Sequence, residues 1–133
     1  MLHWQQRLNR RELLDKGFRM SDFNVIDIPS TLSRVVQTWD DNGAKIADGG
    51  VFQRSSALAE YVFAEALEKH GFLEREVSVS RIPSLTIKWS ELNAKGQIFV
   101  RAEYEKWFRS IDDIQTSESA MTQKLERRIK KYK

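Results

Sequence analysis

Hydrophobic residues recur along this chain with two different periods, and the changes of period divide it into elements. From residue 2 to 16 the pattern is helical. Trp4 and Leu8 stand four apart, Leu13 and Leu14 follow, and Arg7, Arg10 and Arg11 gather across the polar side. Gly17 is placed to end that helix, with Phe18 supplying the apolar contact that often accompanies a glycine stop. Phe23 to Ile28 alternates imperfectly and halts at Pro29, which predicts a short strand or an extended lead-in. Ser30 then stands at an N-cap position, ahead of a helix carrying Leu32, Val35, Val36 and Trp39 and closed by Asp40-Asp41-Asn42-Gly43. Residues 43–53, with Gly43, Gly49 and Gly50, read as a loop, or as a loop holding a short helix over Ala44 to Asp48.

The strongest helical pattern runs from Ser55 or Ser56 to His70 and stops at Gly71. Leu58, Val62, Ala66 and Leu67, flanked by Tyr61 and Phe63, form its apolar face, and Arg54, Glu60, Glu65, Glu68 and Lys69 its polar one. The period then drops to two. Val77 and Val79 share one face, and after a turn at Ile82-Pro83-Ser84 so do Leu85, Ile87 and Trp89, which predicts a β-hairpin over 77–89. Asn93 is the expected cap of a second long helix, in which Val100, Tyr104, Trp107, Phe108 and Ile111 make an aromatic stripe suited to a core or a dimer seam. A polar linker follows, then a last helix from Thr116 or Ser117 with Met121, Leu125 and Ile129 four apart. That stripe is too thin to form a core alone. The helix is expected to dock loosely, to pair with a second chain, or to order on a polyanion.

In sequence, the helix from Ser55, the stop and sequel Gly71-Phe72-Leu73-Glu74-Arg75, the hairpin, and the helix opened by Leu92-Asn93-Ala94-Lys95-Gly96 resemble the second half of a winged helix-turn-helix domain, as in small bacterial regulators of the MarR and PadR type. The resemblance covers residues 55–111. It implies an α+β, mostly helical fold: a winged-helix-like core with a small β-hairpin over 21–111, an N-terminal amphipathic helix in 1–20, and a linker and basic C-terminal helix in 112–133. It also implies binding of double-stranded DNA, with Arg81 near the wing tip reaching a groove or backbone. A surface arginine in a turn is the ordinary alternative. The helix from Ser55 departs from the pattern, because Glu60, Glu65 and Glu68 facing outward would repel phosphates. Either its first turn alone touches DNA, or the scaffold serves another purpose.

Composition narrows the classes of function. At 133 residues, 41% hydrophobic, with four Trp, seven Phe and three Tyr, the chain is expected to fold as one domain. It has no apolar run near the roughly 20 residues that cross a bilayer and no signal-like N-terminus, so a cytoplasmic location and no membrane partner are expected. No cysteine is present, which excludes thiolate chemistry, and with only His3 and His70 neither a metal site nor a cofactor is expected. The Asp40 to Gly43 cluster lacks the bidentate glutamate of a calcium loop, and Gly49-Gly50 matches no phosphate-binding fingerprint. Neither histidine lies in a catalytic motif, and no enzymatic activity is expected. The net charge of +3 is uneven: local +3 over residues 1–20 and +5 over 124–133 leave an acidic middle.

Three readings follow. The first is a DNA-binding regulator or accessory factor, homodimeric through its terminal helices. Arg54, Ser55, Ser56, Arg81 and Lys88 would be its central contacts, and Arg10, Arg11, Arg127, Arg128, Lys130 and Lys131 its non-specific ones. The second is a module that binds another protein through Glu60, Glu65 and Glu68. The third is RNA binding through the basic tail alone, in which case removing residues 117–133 would leave the folded part stable.

Overall fold

Phe23 to Asp27 is extended as its alternation predicts, and its partner comes from far along the chain. In the computed structural model, which describes residues 23–33, 37–39, 45–47, 51–111 and 116–132, strand β1 (Asn24–Asp27) pairs antiparallel with a later strand at Thr86–Lys88. Asn24 stands opposite Lys88 and Asp27 opposite Thr86, with a bulge between Asn24 and Ile26. The bonds Trp89 N–H to Phe23 O (2.8 Å) and Ile28 N–H to Leu85 O (3.0 Å) extend the ladder at both ends. The helix expected over 2–16, including Arg10 and Arg11, and the Asp40 to Gly43 cluster lie outside the described residues.

Helix α1 (Ile28–Ser33) begins earlier than its sequence suggests. Asp27, not Ser30, caps it: the Asp27 Oδ1 accepts the Ser30 N–H at 3.1 Å. Pro29 then falls in the first turn, where a missing N–H leaves nothing unbonded. The helix expected to continue through Trp39 does not do so, because Gln37–Trp39 is a strand, β2, paired antiparallel with β3 (Lys45–Ala47). The short second helix of a helix-turn-helix, expected over Ala44 to Asp48, is therefore replaced by a strand. Trp39 and Ile46 are residue types that suit a pleated ribbon as well as a helix, and pairing across the ribbon decides between them.

Helix α2 (Val51–Lys69) is the centre of the molecule. Its Phe63 is fully buried, with Tyr104, Trp107 and Phe99 ring centroids at 4.1, 5.3 and 5.8 Å. It ends in a Schellman arrangement: Gly71 has φ +73°, Phe72 N–H bonds Leu67 O, and Gly71 N–H bonds Glu68 O.

The hairpin expected over 77–89 does not form. Residues 77–80 are not a strand, and β4 (Thr86–Lys88) takes β1 as its partner. The reason is burial. Leu85, Ile87 and Trp89 need an apolar surface, and buried Val25, Ile26 and Ile28 supply more of it than half-exposed Val77 and Val79.

After a short 3-10 turn, Asn93 caps helix α3 (Ala94–Ser110) by accepting the Gly96 N–H at 2.8 Å. The same side chain donates to Gly71 O at 2.7 Å, and Leu73 bridges Leu92, so the end of α2 and the start of α3 are clasped. All five residues of the α3 stripe are buried. Helix α4 (Glu118–Ile129), capped by Ser117, ends in a 3-10 turn at Lys130–Tyr132. Its Met121, Leu125 and Ile129 are at most 1% exposed and belong to the same core as α2 and α3, and Trp107 Nε1–H donates to Met121 O at 3.1 Å. The loose docking expected of this helix is corrected: its thin stripe completes a core that two other helices have already built. Among the described residues the fold is thus mostly helical with two small antiparallel ribbons, and no helix there is long and apolar enough to cross a membrane.

Candidate functional site

Helix α4 separates its charges by flank. Toward α2 it presents Glu118 and Glu126. The first meets Arg81 at 2.8 Å, and the second lies 3.0 Å from the Nε2 of buried His70 and 3.6 Å from Lys69. These pairings, led by the hydrogen bond from Arg81 for Glu118 and by that from His70 for Glu126, hold both carboxyls below their usual range. Toward α3 it presents only cations. Lys124, Arg127, Arg128 and Lys131 recur at i, i+3, i+4 and i+7, one face of a helix, and with Ser110 they line a cleft of about 320 Å³.

Neighbouring groups set the positions of three of the four cations. Lys124 Nζ donates to Ser110 O at 2.8 Å, and Arg128 Nη1 donates to the buried Glu103 carboxylate at 2.8 Å. Glu103 also accepts the Tyr132 hydroxyl at 3.2 Å and has Lys131 Nζ at 4.0 Å. Burial first, and then the Glu103 charge, keep the Tyr132 phenol protonated to higher pH than usual. Arg127 lines the cleft from an exposed position, and Lys130 is exposed. Arg127 and Arg128 sit in the last turn of α4, where the helix dipole favours positive charge. Of two other hollows, one beside α2 and α4 mixes Glu65, Arg81, Glu118 and Lys69, and one on α3 around Ala94, Ile98 and Arg101 is largely apolar. Neither gathers charge of one sign.

The residues expected to bind nucleic acid fall into separate places. Arg127, Arg128 and Lys131 come together, joined by Lys124 and Ser110, while Lys130 is exposed outside that lining. Sequence reasoning left Lys124 and Ser110 out because their nearness depends on α3 and α4 running antiparallel. Arg81 is engaged elsewhere: its guanidinium donates twice to Glu65, at 3.0 and 2.7 Å, and once to Glu118. It stands in a loop clamped onto α2, where Tyr61 OH also holds Ile82 O and Glu68 holds the Val79 N–H. Ser56 is buried, Ser55 half-buried, and Arg54 exposed on α2. Arg54 precedes Glu65 by eleven residues, roughly 16 Å of helix, and α4 lies beside the later part of α2, so Arg54 is remote from the cleft. Lys88 is exposed on β4.

The acidic face expected on α2 is corrected at Glu60, while Glu65 and Glu68 lie toward the surface. Glu60 points inward and is fully buried, where it accepts the Asp27 N–H at 2.9 Å and the Thr31 hydroxyl and so anchors β1 and α1 to α2. Glu65 and Glu68 clamp the 77–82 loop. Nor is the stripe of α4 open to a second chain, since its own core occupies it. Among the described residues no group of three or more His, Asp or Glu is placed to hold a metal ion. Comparison with protein-family models, with curated proteins and with solved structures finds no match to this chain, so the reading of the α4 face rests on its own geometry.

Proposed function

We propose that this chain is a non-enzymatic DNA-binding protein, a regulator or accessory factor, whose contact surface is the basic flank of α4. The observation that carries the reading is the cleft itself: Lys124, Arg127 and Arg128 from α4, whose apolar side is locked into the core, and Lys131 from the 3-10 turn that follows it, converge there. Cations on an ordered helix lose little entropy on meeting phosphates, unlike cations on a free tail. No wing takes part in this contact: the 77–89 hairpin does not form, and its strand at Thr86–Lys88 pairs with Asn24–Asp27 instead. The double variant Lys124→Glu, Arg127→Glu is expected to weaken binding to a labelled duplex at least tenfold, about 1.4 kcal/mol or more, with its circular dichroism unchanged. Unchanged affinity would remove the α4 face from the mechanism.

A further inference from the structure

This inference rests on the reading of α4 as the nucleic-acid contact and specifies what that contact takes. A helix seated in the major groove, about 12 Å wide, brings both of its flanks near a phosphate backbone. Helix α4 is unsuited to that position. With Met121, Leu125 and Ile129 directed into the core, its cations lie on the α3 side, and Glu118 and Glu126 lie on the opposite side. A second strand would meet these two carboxylates, with the nearby cations Arg81 and Lys69 already engaged by them. The lining of the cleft is lysine, arginine and one serine, with no amide side chain to pair with an adenine edge, and Lys124 and Arg128 are held back by Ser110 O and Glu103 rather than extended toward a guanine edge.

We infer that the α4 face holds one phosphodiester strand by its backbone, independently of base sequence, and does not enter a duplex groove. The stripe from Lys124 to Lys131 spans seven residues, about 10 Å, which covers about three phosphates at 3.4 Å of rise each. Arg128, held by Glu103, and Lys124, held by Ser110 O, are the more enclosed of the four cations, and Arg127 and Lys131 the more exposed. A single strand satisfies this face as fully as a duplex does.

The test is fluorescence anisotropy of the full chain with a labelled 12-nucleotide oligothymidylate, and with a duplex of that length in which no strand, one strand or both strands carry uncharged methylphosphonate linkages. The single strand and the all-phosphate duplex are expected to bind within about threefold of each other, with slopes of log affinity against log salt near −2 and −3 for about three phosphates. Neutralising one strand of the duplex should cost no more than about threefold, and neutralising both should abolish binding. A tenfold or greater loss on neutralising one strand would mean that the protein bridges two backbones, and binding that survives neutralising both would mean that bases or sugars carry it. Either result overturns the inference while leaving DNA binding in place. Failure of every charged probe to bind at low salt would overturn DNA binding itself, and this inference with it.

Discussion

Glu60 and Gly96 show how much of this fold turns on single side chains facing an unexpected way. A glutamate on an otherwise apolar helix is ordinarily solvent-exposed, because an unpaired buried carboxylate is costly. Glu60 is buried because the Asp27 amide and the Thr31 hydroxyl reach it from residues about thirty positions earlier. No local pattern could announce that. Gly96 was legible as part of a helix start, but its purpose was not. A Cβ placed there would stand 2.1 Å from Phe72 O, so the glycine permits the start of α3 to touch the chain leaving α2. Alanine is the better helix former by roughly 1 kcal/mol, and the clash should outweigh it. Gly96→Ala is expected to destabilise by about 1–3 kcal/mol in denaturant titration, and a gain in stability would mean that the clasp is looser than this packing requires. Asn93 and Gly71, by contrast, were readable as cap and stop because their chemistry is local.

At the scale of elements, the two long helices, their caps and their aromatic stripe were legible, and the pairing of elements was not. The period of Leu85, Ile87 and Trp89 announces a strand but not its partner, and β1 lies about sixty residues away. Helix α4 was underestimated for a similar reason: three apolar residues make a weak stripe alone and a sufficient one against α2 and α3. Leu125→Ala is therefore expected to cost about 2–5 kcal/mol, and removal of residues 117–133 to abolish cooperative unfolding, contrary to the behaviour of a dispensable tail. A truncated chain that still melts cooperatively would contradict this account of the core. The link between α4 and α2 through Glu126 and His70 adds a dependence on pH. The folded-state pKa of Glu126 lies below its unfolded value, so the pair contributes stability above the ordinary carboxylate range and loses it as pH falls through the lower value. Glu126→Gln should accordingly be less stable than the unaltered chain near about pH 6, with the difference shrinking below about pH 4. Equal separation of the two unfolding curves at every pH would exclude this linkage.

For the molecule as a whole, the distribution of charge separates scaffold from contact surface. Arg81, expected from the sequence near the tip of a wing, is bound to Glu65 and Glu118 and holds a loop against α2 and α4. Arg81→Ala is expected to leave affinity for DNA within about twofold of the unaltered chain and to lower stability by about 1 kcal/mol or less, because both ion pairs are partly exposed. A large loss of binding would restore the loop to the contact surface. The sequence by itself determined the two long helices, the Gly71 stop and Asn93 cap between them, the aromatic core of α3 and the basic character of the last helix, since each depends on residues within a turn or two of one another. Only the tertiary structure decided that β4 pairs with β1, that Glu60 is buried and Arg81 engaged, and that four cations face one cleft between α3 and α4. Those outcomes depend on which distant surfaces bury the most apolar area and which distant donors satisfy a carboxylate, and neither quantity exists until the chain has closed on itself.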